Sequence, residues 1–70
     1  MIEVFKTNIE NEQEAQAVYS SLRASFPDFV IHFDLEDCDK ILRIKCDCID
    51  ALIVIELMGS LGFACEILEN

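Results

Sequence analysis

Between Ala15 and Leu35 the apolar residues change their spacing, and that change restricts what the chain can become. Ala15, Val18, Tyr19, Leu22 and Phe26 recur at intervals of three and four, which places them on one stripe of a helix over Glu12 to Phe26. Gln13, Ala17, Ser20 and Ala24 fall on the opposite face. The stretch "FPDF" ends the helix, because the residue before a proline is pushed out of the helical region. Beyond it Phe29, Ile31, Phe33 and Leu35 alternate with Val30, His32 and Asp34, the period of a half-buried strand. An amphipathic helix joined to an amphipathic strand buries both apolar faces by packing one on the other.

The remaining elements follow the same rules. Ile2 to Thr7 is rich in β-branched and aromatic residues and predicts a strand. "EDCD" predicts a turn, and Ile41 to Cys46 a strand with Leu42 and Ile44 inward. Asp47 or Asp50 can cap a second helix, which runs to about Leu61 and stops at Gly62. Ala64 to Leu68 gives the last strand. The order β-α-β-β-α-β predicts an α+β, ferredoxin-like fold: two helices packed on one face of a four-stranded antiparallel sheet. Residues 1–70 form a single domain. At this length only about 60% of the unfolded chain's surface is buried, so the stability margin is thin.

Composition narrows the function classes. Fourteen acidic against five basic side chains leave a formal net charge of −9, which repels phosphate backbones and argues against nucleic acid as a partner. No apolar run approaches the ~20 residues of a membrane span, so no membrane contact is expected. "MIEVFKTNIE" lacks a basic region followed by a long apolar core, which predicts a cytoplasmic protein. In that compartment the four cysteines are expected to be free thiols rather than disulfides. No serine or cysteine has an evident basic partner and no glycine-rich phosphate loop is present, so neither catalysis nor a cofactor is expected.

"FKTNI" entering the first helix, "DKILRI" in the third strand and "LMGSLGFACEIL" across the second helix into the last strand resemble the heavy-metal-associated domain of copper chaperones and metal-transporting ATPases. The resemblance spans nearly the whole chain. It implies a Cys-x-x-Cys pair before the first helix, where two thiolates hold a soft cation such as Cu(I). Aligned on Ile9, those cysteine positions fall on Asn11 and Glu14, neither of which supplies a thiolate. Asn11 is instead a suitable N-cap, and Glu14 three residues on completes an Asn-x-x-Glu form of the capping box. A hard-cation site using Asn11, Glu14 and nearby carboxylates is the rival reading.

Other soft-metal arrangements face a topological obstacle. In a sheet of order 4-1-3-2, Cys38 in the hairpin and Cys65 on the last strand lie near one end but at opposite edges, too far apart for one tetrahedral ion. Cys46 and Cys48 sit at the other end and are the one local thiol pair. They could hold a soft ion, close a strained disulfide, or simply finish a strand and pack as small apolar residues. Glu10, Glu12, Glu14, Asp34, Glu36, Asp37 and Asp39 gather at one end as an acidic cap. That cap is either a solvated face or a docking surface for a basic partner. His32 is expected on the outer side of an edge strand, and Lys40, Arg43 and Lys45 in a mixed-charge surface.

The second helix, "ALIVIELM", is too apolar for a fully wet outer face. Ile53, Val54, Leu57, Met58 and Leu61 are expected to face the sheet. Leu52, Ile55 and Gly59 then form a second flank, a candidate contact for a protein partner or a homodimer unless the helix sinks deeper into the core. The functional expectation is a small, non-catalytic interaction or regulatory module that has lost the family's metal site. The alternative is a metal-binding or metal-trafficking protein that uses Cys46 and Cys48 or the acidic end.

Overall fold

A computed structural model describes residues 1–68. Six elements follow one another: β1 (Ile2–Thr7), α1 (Glu12–Ser25), β2 (Val30–Asp34), β3 (Ile41–Lys45), α2 (Ala51–Ser60) and β4 (Cys65–Ile67). The strands form one sheet in the order β2-β3-β1-β4, with every neighbouring pair antiparallel. The fold is ferredoxin-like, as the alternation of elements predicts.

Register explains where the core sits. Phe5 on central strand β1 lies opposite Leu42 on β3 and Ile67 on β4. Phe5, Leu42 and Ile44 from the sheet, Val18 and Leu22 from α1, and Val54 and Met58 from α2 are all fully buried in one cluster. Two loop residues join them, Ile9 before α1 and Ile49 before α2. Ile49 precedes the cap of α2 and Val54 stands four positions into the helix, the spacing of a hydrophobic staple. Ile41 is also buried but stays outside this cluster, because its register opposite Lys6 and Asp34 puts it on the sheet face away from Leu42 and Ile44.

Each helix end has a local cause. The Asp50 side chain accepts the Leu52 N–H at 3.0 Å, so Asp50 rather than Asp47 caps α2. At the far end the Phe63 N–H reaches the Met58 carbonyl at 2.9 Å and the Gly62 N–H reaches that of Gly59 at 3.0 Å. These paired bonds need a left-handed residue, which Gly62 provides at φ 91°. Helix α1 stops at the proline: the Phe29 N–H turns back to the Phe26 carbonyl, and the two rings stack with centroids 4.6 Å apart.

Three expectations need correction. Strand β4 is shorter than Ala64 to Leu68, since the Ala64 N–H bonds the Asn8 side chain at 2.9 Å instead of joining the ladder. Ile53 does not face the sheet; it is 46% exposed, because Val54 and Met58 define the buried line of α2 and Ile53 stands a quarter-turn away. Leu61 caps that helix and is likewise exposed.

Candidate functional site

The end of β1 and the segment that leads from it into α1 carry much of the polar side-chain bonding of the fold. The Thr7 hydroxyl donates to the Lys40 carbonyl at 2.6 Å and accepts the Ile9 N–H at 3.2 Å. The Thr7 N–H reaches the Asp39 carbonyl at 3.0 Å, so the end of β1 is fastened to the β2–β3 hairpin. Asn8 fastens the same loop to the start of β4. Asn11 Oδ1 accepts the Glu14 N–H at 2.9 Å, and Glu14 Oε1 accepts the Glu10 N–H at 2.8 Å. The cap is therefore reciprocal, but its second bond falls one residue earlier than in a standard capping box, on Glu10 rather than Asn11. Asn11 and Glu14, where the family resemblance would place thiolates, both spend an oxygen on backbone N–H groups. Glu12 and Glu14 also lie in the first helical turn, where the helix dipole favours negative charge.

Of the acidic cap expected from the sequence, Glu10 and Glu12 at the α1 entrance border one groove with Asp34 and Glu36 at the hairpin. The Lys6 ammonium stands 3.9 Å from Asp39 and 3.8 Å from Glu66. Lys6 and Glu66 are well exposed, so these pairs add little stability. Among the described residues, one group of three possible metal donors has its atoms within 4.8 Å of one another: Asp37, Cys38 and Asp39 in the hairpin. Asp37 Oδ1 already accepts the Asp39 N–H at 2.9 Å, and Lys6 competes for Asp39.

The other cysteines stay apart from that group. All four thiols are free. Cys65 on edge strand β4 and Cys38 beside edge strand β2 are separated by the two central strands, which keeps them from sharing an ion. Cys46 is half-buried against the core and Cys48 is exposed. Both line a depression with Asp28 and Val30, and among the described residues they gather no third donor within ligand spacing.

Burial, and secondarily the Glu66 carboxylate, push the Cys65 thiol up from its ordinary 9.0 to about 11. It is therefore protonated at neutral pH, a poor ligand and a poor nucleophile. Between about pH 9 and 11 the unfolded chain releases this proton while the folded chain keeps it, so the fold loses stability as pH rises through that window. At mildly alkaline pH, iodoacetamide should label exposed Cys38 and Cys48 well before Cys65, as peptide mapping by mass spectrometry would read out. Equal labelling of Cys65 in the folded chain would contradict this account.

His32 is exposed on the sheet face away from the core, opposite Arg43, with Val30 opposite Lys45. On α2 the flank expected as a partner surface divides: Leu52 is 68% exposed and Gly59 is exposed, while Ile55 is half-buried against the core. Exposed Ile53 beside Leu52 moves the apolar patch toward the start of the helix. A second feature escaped the sequence reading: a groove of about 650 Å³ between α1 and the free edge of β2. Ala15, Tyr19, Ile31 and Phe33 line it, with Glu12 and Glu36 among its acidic residues. Neither strand nor helix periodicity signals such a groove, because its lining comes from two separate elements at once.

Comparison of the chain with family models, with curated proteins and with solved structures returned no match.

Proposed function

We propose that the chain is a small, non-catalytic, cytosolic interaction or regulatory module, built on a heavy-metal-associated type of framework whose metal site has been given up. The observation that carries this reading is the entrance to α1, where Asn11 and Glu14 bond backbone N–H groups rather than presenting thiolates. The patch of Leu52 and Ile53 offers apolar contact area on α2.

The test is a titration with Cu(I) and with Zn(II), followed by native mass spectrometry. The expected result is no stoichiometric adduct with either ion at protein-equivalent concentration. A tight 1:1 adduct lost on Asn11→Ala or Glu14→Ala would overturn the reading.

A metal-binding role through an altered site is the second reading, and what favours it is the Asp37, Cys38 and Asp39 group in the hairpin. There the adduct would survive both alanine substitutions and disappear with Cys38→Ser. An adduct lost instead with Cys46→Ser or Cys48→Ser would place the site on that pair.

A further inference from the structure

The groove between α1 and β2 combines three features in one place, and together they identify a ligand. The first is an unpaired strand edge. The Cys46 N–H bonds the Met1 carbonyl across the β1–β3 ladder, so Ile44 and Leu42, two and four residues back, also direct their backbone groups to β1. Arg43 and Lys45 therefore bond β2, through His32 and Val30. Ile31 and Phe33 are left with N–H and C=O groups turned outward, away from the sheet. Arg23 Nη1 on α1 donates to the Phe29 carbonyl at 2.9 Å, so a side chain of α1 already reaches a carbonyl of the same parity as Ile31 and Phe33.

The second feature is apolar. Ala15 and Tyr19 on α1, Ile31 and Phe33 on β2, and Leu35 just beyond it line the groove. The third is charge. Glu10, Glu12, Asp34 and Glu36 border the same groove on a chain of net charge −9.

From these we infer that the α1–β2 groove binds an extended, basic segment of a partner protein, which adds as a strand to the edge of β2. A helix cannot satisfy outward-turned backbone N–H and C=O groups, whereas an added strand does so at each alternate residue. Its alternating side chains meet the apolar lining on one side, while lysines or arginines reach the acidic border. A second copy of this chain is disfavoured: pairing two β2 edges would bring Asp34, Glu36, Glu10 and Glu12 of both chains together. The inference deepens the interaction-module reading and depends on it for the partner's being a protein.

The experiment uses the whole chain, labelled with nitrogen-15, in the presence of a chelator. The probe is a short, end-blocked peptide of alternating lysine and valine. The expected result is a set of amide shifts centred on Ile31 and Phe33, with slowed hydrogen exchange at both. Binding should weaken about tenfold with added salt, because exposed charges are screened. Replacing the central valine of the peptide by proline should abolish it, since proline removes the ladder donor. Glu10→Lys with Glu36→Lys, both at exposed positions, should weaken it by a similar factor while leaving the far-ultraviolet circular dichroism unchanged.

Shifts on another face, or equal binding of the proline peptide, would overturn the inference. So would a concentration-dependent dimer that shifts the same amides without peptide, which would give the edge to a second copy. Because the chelator removes free metal, the two failures are distinguishable: a stoichiometric metal adduct overturns the module reading, whereas absent shifts at Ile31 and Phe33 overturn the groove alone.

Discussion

Phe5→Ala should strip the fold of about 3–5 kcal/mol of stability. Phe5 is fully buried on the central strand, opposite Leu42 and Ile67, and belongs to the one cluster shared by both helices and the sheet. Truncating a buried phenylalanine to alanine costs about 3–5 kcal/mol, from lost transfer free energy plus the cavity left behind. A 70-residue domain has a total stability of roughly 4–10 kcal/mol, so one substitution consumes much or all of it. Urea titration followed by circular dichroism reads the effect directly. A loss under about 1 kcal/mol would mean that the sheet closes around the gap, and that β1 is not the centre of the core.

The second large effect is a gain. Asn11→Cys with Glu14→Cys places paired thiols at the entrance to α1, where the natural chain offers no thiolate, and the double variant should take up one Cu(I) there. The same change removes both side-chain acceptors of the cap, Asn11 Oδ1 and Glu14 Oε1. Without metal the variant should therefore be less stable by about 1–2 kcal/mol, with Asn11→Ala alone accounting for about 1 kcal/mol. Added Cu(I) should raise the melting temperature again, because a ligand that binds only the folded state stabilises it. Native mass spectrometry and thermal melts with and without Cu(I) check both halves. A variant that melts like the natural chain and takes up no Cu(I) would show that neither capping nor metal geometry resides at these positions.

Much of the architecture was legible because local signals and the global fold agree. The stripe from Ala15 to Phe26, its end at Pro27 and the alternation after Phe29 place α1 and β2 to within a residue or so. Asn11 announces itself as a cap, and Gly62 as the left-handed residue that ends α2. What stayed hidden depends on distance along the chain or on rotation. Nothing local links Asn8 to Ala64, which are 56 positions apart, or Thr7 to the Lys40 carbonyl. The orientation of α2 was misjudged because almost every residue from Ala51 to Met58 is apolar, so the sequence offers no wet face to fix the helix rotation. The groove beside β2 was missed for a related reason: periodicity describes one element at a time. Of the candidate site, the absence of thiols at Asn11 and Glu14 could be read from residue types alone, while the tight bonding of that loop could not.

The placement of β1 bears on how the chain comes off the ribosome. Its first strand is an inner one, hydrogen-bonded to β4, which is made last. Until Cys65 to Ile67 have been synthesised, the flank of β1 that carries Val4 and Lys6 backbone groups has no neighbour, although β2 and β3 can already be in place. Closure of the sheet waits on the long-range pairing of β1 with β4, which slows folding and leaves any chain that lacks β4 with a sticky open seam. Removing Cys65 to Ile67 would then harm solubility far more than the small buried share of that strand suggests.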